Sequence, residues 1–304
     1  MRFNPKARLD RSQIQNRRGS GGSGPGFPVG GGGGLKVGGG IGGVIVLIII
    51  VLLNGGLPDG NNPVGGGSVS TGGGDLSYCT TGEDANNDPD CARLAVVNSI
   101  QSFWSEALPK QSNRQYRQAD TVIFSDQVGT GCGAATSAVG PFYCPPDEQV
   151  YLDTTFFEDM LEGQLGGRGG DFAEAYVLAH EYGHHIQNLL GIMERVRTQQ
   201  GPGSDAVRLE LQADCLAGMW SRHATEVPDE DGRVIIEELT EQDIKEALDA
   251  ARAVGDDRIQ KRTSGRVNPD AWTHGSAEQR MRWFMTGKDR GSLEACDTFA
   301  AGQL

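Results

Sequence analysis

The chain has 304 residues, and its 40 acidic side chains exceed its 27 basic ones, for a net charge of −13. Only 7 basic residues and 1 acidic residue precede residue 54, which leaves 20 and 39 beyond it, a net charge of −19. Such an acidic remainder repels nucleic acid and anionic lipid headgroups, so we expect no nucleic-acid partner. Of the 46 glycines, 24 precede residue 75, which separates a low-complexity front from an ordinary globular remainder.

The front of the chain predicts a membrane anchor. Residues 1–36 form a basic, Gly-rich tail, and residues 37–57 contain an unbroken apolar core, about twenty residues in all and long enough to span a bilayer. No Lys or Arg then appears before Arg93, so the positive-inside rule predicts a single-pass protein of the cell membrane with a cytoplasmic N-terminus and an extracytoplasmic remainder. A cleaved signal peptide is the alternative, which the long basic lead and the missing Ala-Xaa-Ala site disfavour.

Residues 58–75 predict a flexible Gly-rich linker, and residues 76–304 are long enough for one domain with a single core. Apolar spacing and turn signals predict helices at 94–108, 171–190, 204–223, 240–254 and 276–286, and short strands at 121–124 and 150–152. The outline is α+β, with a small sheet before the main helices. Residues 143–153 are the candidate edge to which a substrate backbone can add as an extra strand.

The pentapeptide His180-Glu-Tyr-Gly-His184 carries the strongest functional signal. It lies inside a predicted helix that has Asp171 as its N-cap and Gly191 as its C-terminal stop. Positions i and i+4 lie one turn apart on one face, so both imidazoles can bind a single zinc ion. Glu181 lies off that line, where it can hold a metal-bound water and accept its proton. The alternative is an amphipathic helix with structural or surface histidines.

A hydrolytic zinc site needs a third protein ligand and leaves its fourth position to water. In the predicted helix 204–223, Glu210 and Asp214 share one face with Ala213 and Ala217, which indicates a packed face rather than a solvated acidic one. Glu210 has the longer reach and is the predicted third ligand. Asp214 is the predicted acceptor for the outer N–H of a ligand imidazole.

His274 is a candidate donor to the oxyanion that develops during hydrolysis, although a plain loop histidine is the alternative. It stands just before a predicted helix that has Ser276 and Gln279 as a capping box and Gly287 as its terminator. The helix geometry places His185 and His223 away from the predicted zinc ligands on their own helices. Both are predicted to be structural or surface residues.

All six cysteines follow the apolar segment, which suggests three disulfides rather than thiolate metal ligands. Six cysteines allow fifteen pairings. Two pairs are each separated by twelve residues and suggest local loops, which leaves the last two cysteines with each other: Cys79 with Cys91, Cys132 with Cys144, and Cys215 with Cys296. Free buried thiols are the alternative, but they need a reducing compartment.

A family resemblance is carried by six segments that run over most of the chain, at 1–3, 140–145, 150–153, 180–185, 210–218 and 273–280. They resemble the bacterial family of predicted neutral zinc metallopeptidases, which are membrane-anchored proteins with a His-Glu-Xaa-Xaa-His motif. Residues 210–214 also resemble the glutamate-bearing segment of integral-membrane zinc proteases that process prenylated or misfolded proteins. The resemblance implies zinc ligation by Glu210, support of a ligand histidine by Asp214, and a role at the transition state for His274 and Arg280.

The sequence therefore predicts one zincin-like α+β domain behind a transmembrane helix. It is expected to bind one Zn²⁺ per chain through His180, His184 and Glu210 and to hydrolyse protein or peptide substrates, with Glu181 as the general base. A zinc-stabilised binding or scaffold protein without turnover is one alternative, against which Glu181 argues because a structural site has no use for a general base. A hydrolase of cell-wall peptides is another. The oligomeric state and the physiological substrate stay open.

Overall fold

The structure, a computed structural model, describes residues 1–18 and 76–304. They form a mixed α+β fold of helices and small sheets, as predicted. The predicted transmembrane segment 37–57 and the predicted linker 58–75 lie outside the described residues. Within the two described ranges, no helix is long and apolar enough to cross a membrane.

Eight short strands in the described ranges pair into one four-stranded and two two-stranded sheets. They are β1 (Arg2–Phe3), β2 (Ile14–Asn16), β3 (Thr121–Phe124), β4 (Gln127–Thr130), β5 (Gly133–Thr136), β6 (Phe142–Cys144), β7 (Gln149–Asp153) and β8 (Ile236–Glu238). The main sheet has the order β2-β3-β7-β6, in which β2, β3 and β7 are parallel and β6 is antiparallel to β7. The predicted strands at 121–124 and 150–152 are confirmed as β3 and β7. Of the predicted edge, only β6 lies at an edge, since β7 is internal.

The first eighteen residues belong to the same fold as the rest of the described chain. β2 pairs in parallel with β3, with Ile14 opposite Thr121, and β1 pairs with β8. Phe3 is buried in the main core, and Arg18 forms an ion pair with Asp90. A strand and the sheet that it joins lie on the same side of a membrane. The predicted localisation, with a cytoplasmic tail from residue 1 and the remainder outside, is therefore wrong.

Seven α-helices follow in the described part. They are α1 (Gly82–Asn87), α2 (Pro89–Gln111), α3 (Asp171–Leu190), α4 (Asp205–His223), α5 (Glu241–Ala253), α6 (Asp256–Ser264) and α7 (Ala277–Arg290), and a π-helical segment spans Phe156–Gln164. Helix α3 has the predicted bounds and ends at the left-handed Gly191, but its N-cap is Gly170, at φ 110°, and not Asp171. Ser276 and Gln279 form the predicted capping box of α7. The sequence did not predict α6, β2 or the β4–β5 hairpin.

Helix α7 continues past Gly287, which the sequence had suggested as its terminator. A Cβ on Gly287 would lie 1.8 Å from the carbonyl oxygen of Cys215, and a Cβ on Gly218 would lie 1.9 Å from that of Phe284. The two glycines therefore allow α4 and α7 to cross at close range, so Gly287 is a packing residue within the helix. The left-handed Gly291, at φ 65°, caps α7 instead.

The main core lies between the four-stranded sheet and the helices, and α3 is fixed to that sheet. The Tyr182 hydroxyl of α3 donates to the carbonyl oxygen of Ala119 at 2.8 Å and lies 3.0 Å from Oγ1 of Thr121 at the start of β3. A second, smaller core fills the space between the hairpin and the sheet with residues such as Phe124, Val128, Phe142 and Tyr151.

All three predicted disulfides are confirmed. Cys79–Cys91 ties the chain before α1 to the first turn of α2, and Cys132–Cys144 ties the turn of the β4–β5 hairpin to the end of β6. Cys215–Cys296 ties α4 to the C-terminal segment. Since both cysteines of each pair are bonded, none of the six is free to bind a metal as a thiolate.

Candidate metal centre

Helices α3 and α4 bring the three predicted zinc ligands together. His180 and His184 lie one turn apart on α3, and Glu210 lies on α4. Nε2 of His180 is 3.3 Å from Oε2 of Glu210, and Nε2 of His184 is 3.4 Å from Oε1 of the same carboxylate. One donor atom from each residue lies within 4.8 Å of the other two. The group can therefore hold a metal ion.

These separations fit a shared zinc ion. Four ligands at about 2.0–2.1 Å from a tetrahedral ion lie roughly 3.3–3.4 Å from one another, whereas an N–H···O hydrogen bond is typically about 2.9 Å long. Two imidazole nitrogens and one carboxylate are a common donor set of catalytic zinc, which leaves the fourth position open. The donor set and its spacing therefore suit zinc.

A glycine between the two histidines explains why α4 lies so close to them. A Cβ on Gly183 would lie 3.0 Å from both the Cα and the carbonyl oxygen of Ala213. A larger residue at either position would push the helices apart. The small pair lets α3 and α4 touch where His180 and His184 face Glu210.

Asp214 lies behind His180 and holds its outer nitrogen. Nδ1 of His180 is 2.8 Å from Oδ1 of Asp214, which also accepts the Tyr176 hydroxyl at 2.5 Å. Arg280 of α7 donates through Nε to Oδ2 at 2.8 Å and through Nη2 to Oδ1 at 2.9 Å. With Nδ1 donating to the carboxylate, the lone pair of Nε2 is free to bind a cation. The structure thus brings Asp214 and Arg280 to the site, as the sequence suggested.

Gln187 holds the outer ring nitrogen of His184, as Asp214 does for His180. Nδ1 of His184 is 2.8 Å from Oε1 of Gln187, whose Nε2 donates to the carbonyl oxygen of Leu209 at 2.6 Å. Sequence reasoning missed both Gln187 and Tyr176. Their spacing was the available signal, since Gln187 lies three residues after His184 and Tyr176 four residues before His180, positions that share a helix face.

The charges of the site shift its pKa values in opposite directions. Burial alone would raise the pKa of Asp214, but the Arg280 guanidinium and His180 outweigh it and lower that pKa to about 2. Burial alone would lower the pKa of His180, but Asp214 and Glu210 raise it to about 10. At neutral pH Asp214 is therefore a carboxylate and the ring of His180 is protonated. A cation that binds Nε2 of His180 must displace the proton from that nitrogen, while Nδ1 keeps its proton for Asp214.

Glu181 lies beside the three donor atoms without being one of them. It is buried, and burial, together with the charge of Glu210, raises the pKa of its carboxyl group. The nearby imidazoles and a hydrogen bond from the Tyr143 backbone of β6 oppose that rise. A carboxylate with a raised pKa is a better proton acceptor than one in water.

The site opens onto a cavity of about 380 Å³. Its polar side, here called the helical wall, consists of His180, Glu181, His184, Glu210, His274 and Arg280. A second side, the sheet wall, consists of residues 139–143, which lead into and include the start of β6. Apolar side chains line much of the remainder, among them Val177, Met193, Leu209 and Val254. The cavity therefore joins a polar centre to an apolar pocket and to an edge strand.

His274 lies in the loop before α7 and faces the same cavity. Its Nδ1 is 2.8 Å from Oγ1 of Thr273 and 3.4 Å from Oδ1 of Asp256. Burial would lower the pKa of His274, but the carboxylates of Glu210 and Asp256 raise it. Asp256 was not among the predicted residues.

The other two histidines, which were predicted to be structural or surface residues, do not line this cavity. His185 is fully buried, with Nδ1 3.0 Å from the Tyr143 hydroxyl and Nε2 2.7 Å from the carbonyl oxygen of Arg117. Burial lowers its pKa. Nδ1 of His223 lies 2.9 Å from Oε2 of Glu226 on the surface, away from the cavity.

Residues 1–299 match the model of a family described as "Putative neutral zinc metallopeptidase". The chain is 52% identical over 234 residues to the uncharacterized protein Rv2575 of Mycobacterium tuberculosis. The aligned region covers 76% of this chain and 78% of that protein. It is 41% identical over 221 residues to the uncharacterized protein YpfJ of Escherichia coli K12, or 70% of this chain and 73% of that protein. No solved structure matches.

Proposed function

Because the chain belongs to this family of neutral zinc metallopeptidases, we propose that it is a zinc-dependent endopeptidase with one metal ion held by His180, His184 and Glu210. The observation that carries the proposal is the spacing of 3.3 and 3.4 Å from the two Nε2 atoms to the Glu210 carboxylate, with Glu181 beside them. A scaffold has no use for that last residue.

The residues at the helical wall have different roles in the proposed hydrolysis. When bound, zinc would polarise the scissile carbonyl and lower the pKa of water. Glu181 takes the proton from the attacking water and delivers it to the leaving amine. His274 donates a hydrogen bond to the oxygen that gains negative charge. Asp214 and Arg280 fix the ring of His180 so that its Nε2 keeps its direction.

The substrate is an extended peptide. β6 is an edge of the main sheet and part of the sheet wall, so a peptide backbone can pair with it as an added strand. That placement carries the peptide past Glu181, which contacts the backbone of Tyr143 in β6. The apolar lining at Val177, Leu209 and Val254 favours an uncharged, apolar side chain next to the cleaved bond.

The test is the substitution Glu181→Gln, which preserves the shape of the side chain and removes the proton acceptor. We expect the variant to keep one zinc per chain, since Glu181 is not a ligand, and to lose at least about 100-fold in peptide hydrolysis. Metal analysis and steady-state kinetics on a peptide library measure the two effects. A wild-type protein that binds one zinc and cleaves nothing across that library would favour the scaffold alternative.

A further inference from the structure

Asp256, the first residue of α6, supports the loop that carries His274. Its Oδ2 accepts hydrogen bonds from the backbone N–H groups of Thr273, His274 and Gly275, at 2.8, 2.7 and 3.0 Å. In return, the N–H of Asp256 donates to the carbonyl oxygen of Gly275 at 2.9 Å. Hydrogen bonds to an ionised carboxylate are stronger than neutral ones. Four bonds therefore fix three consecutive residues of this loop to one end of α6.

The other carboxylate oxygen of Asp256 contacts the ring of His274. Oδ1 lies 3.4 Å from Nδ1, and Oγ1 of Thr273 lies 2.8 Å from the same nitrogen. Nδ1 is thus engaged from two sides, which leaves Nε2 as the ring nitrogen for the cavity. A protonated ring donates its Nδ1–H to the Asp256 carboxylate and carries a second proton on Nε2. A neutral ring whose Nδ1 accepts the Thr273 hydroxyl carries its one proton on Nε2. In both forms Nε2 is a donor.

The loop has no room to move away from α6. Gly275 adopts φ 90°, and a Cβ there would lie 3.2 Å from Cγ1 of Val207 and 3.3 Å from Cδ2 of Leu211, both on α4. Thr273 and His274 are both buried. The loop is therefore held between α6 and the helix that carries Glu210.

We propose that Asp256 is a positioning residue that acts through His274. Together with Thr273, it holds the ring so that Nε2–H faces the cavity and donates to the oxygen that gains charge at the scissile carbonyl. The proposal rests on the proposed peptidase function for its kinetic consequence, but the orientation of the ring does not depend on turnover.

Neighbouring Asp257 provides a matched control. It also lies in the first turn of α6, and its Oδ1 accepts the backbone N–H of Ala277 at 2.7 Å, but it bonds to no residue of the 273–275 loop. Asp256→Ala and Asp257→Ala each remove one carboxylate that accepts backbone N–H groups. Only the first should affect His274.

In the zinc-loaded full-length protein, we expect Asp256→Ala to lower kcat by about 10–100-fold, less than the roughly 100–1,000-fold expected when an oxyanion donor is removed altogether by His274→Ala. KM and zinc content should stay within about twofold, and Asp257→Ala should stay near wild type. Asp256→Asn keeps an acceptor for the three N–H groups and should recover most of the rate. Adding Asp256→Ala to His274→Ala should cause no further loss, because the two residues act as a unit. Additive losses would overturn the proposal.

Nitrogen-15 NMR of the His274 ring tests the orientation without turnover, and Thr273→Val covers the case in which Asp256→Ala does not fold. We expect a proton on Nε2 in the wild type. Asp256→Ala removes the carboxylate that accepts from a protonated Nδ1, so the pKa of the His274 ring should fall. Thr273→Val removes the hydroxyl that can donate to Nδ1, so the population of the neutral Nδ1–H form should rise. An unchanged ring in both variants overturns the proposal. If the wild type hydrolyses no peptide while the ring responds as described, the peptidase function fails and the positioning by Asp256 stands.

Discussion

Different interactions stabilise the helical wall and the sheet wall of the cavity. The helical wall lies in the main core, where Asp214, Arg280 and Tyr176 form a buried network of charges and hydrogen bonds behind His180. In the sheet wall, Val139 and Phe142 pack in the smaller core, Tyr143 is buried in the main core, and Cys132–Cys144 ties the end of β6 to the hairpin. The comparison indicates that the proposed metal ligands are held by helix packing in the main core, whereas the proposed substrate strand depends in part on the smaller core and on a disulfide.

The largest effect is expected at the metal itself. Glu210→Ala leaves only two histidines as ligands, so zinc should be lost to mild chelation and peptide hydrolysis should fall with it. Metal analysis after dialysis against a weak chelator measures the loss. Glu226→Ala, which removes a surface acid just beyond α4, is the control and should keep its zinc. Full zinc occupancy in Glu210→Ala would show that the metal has other ligands.

The second effect tests the rigidity of the helical wall. Gly287→Ala places a methyl group 1.8 Å from the carbonyl oxygen of Cys215, so α4 and α7 must separate. We expect the free energy of unfolding to fall by about 3 kcal/mol or more, at the upper end of the usual cost of overpacking. Gly129→Ala on the hairpin, where nothing lies within 4 Å, should change it by less than about 0.5 kcal/mol. Urea unfolding curves for the two variants would reveal an equal loss if the crossing is not tight.

The third effect separates a ligand from its support. Asp214→Asn keeps the shape of the side chain but removes the charge that pairs with Arg280 and holds His180. Zinc affinity should fall by about 10–100-fold, the usual cost of a lost partner behind a ligand, and activity should partly return in excess zinc. Competition with a chromophoric chelator gives the affinity. Retention of wild-type affinity would remove Asp214 from the metal centre.

The smallest effect belongs to the sheet wall. Replacing Cys132 and Cys144 by serine frees the end of β6, so KM for peptides should rise severalfold while zinc content and kcat stay within about twofold. Replacing Cys79 and Cys91 is the matched control, since both disulfides have the same sequence separation of 12 residues and should cost a similar free energy of unfolding, about 3 kcal/mol in the chain-entropy model. An equal change of KM in both double variants would argue against β6 as the substrate strand.

Local patterns predicted the elements that carry the metal donors. The i, i+4 spacing of His180 and His184, and of Glu210 and Asp214 among alanines, identified two helix faces that the structure brings together. Asp256 gave no such signal, because α6 is polar and contains a single apolar residue, Ile259. Its importance arises from a loop seventeen to nineteen residues away.

The front of the chain was misread for a related reason. β2 has three residues, Ile14–Asn16, in a basic stretch, and its partner Thr121 lies more than a hundred residues further on. Composition suggested a tail because it carries no information on pairing at such a distance. The register with β3 became visible only in the assembled sheet.

The pairing of β1 with β8 sets a condition on biosynthesis. Arg2 and Phe3 pair with Glu238 and Ile236, so this contact cannot form until that part of the chain has left the ribosome. At about 5–20 residues per second, the first residues wait roughly ten to fifty seconds for their partners. β2, which needs Thr121 to Ile123, waits about half as long. During translation β1 and β2 therefore stay unpaired for these times, which leaves both strands accessible to a chaperone or a modifying enzyme until their partner strands emerge.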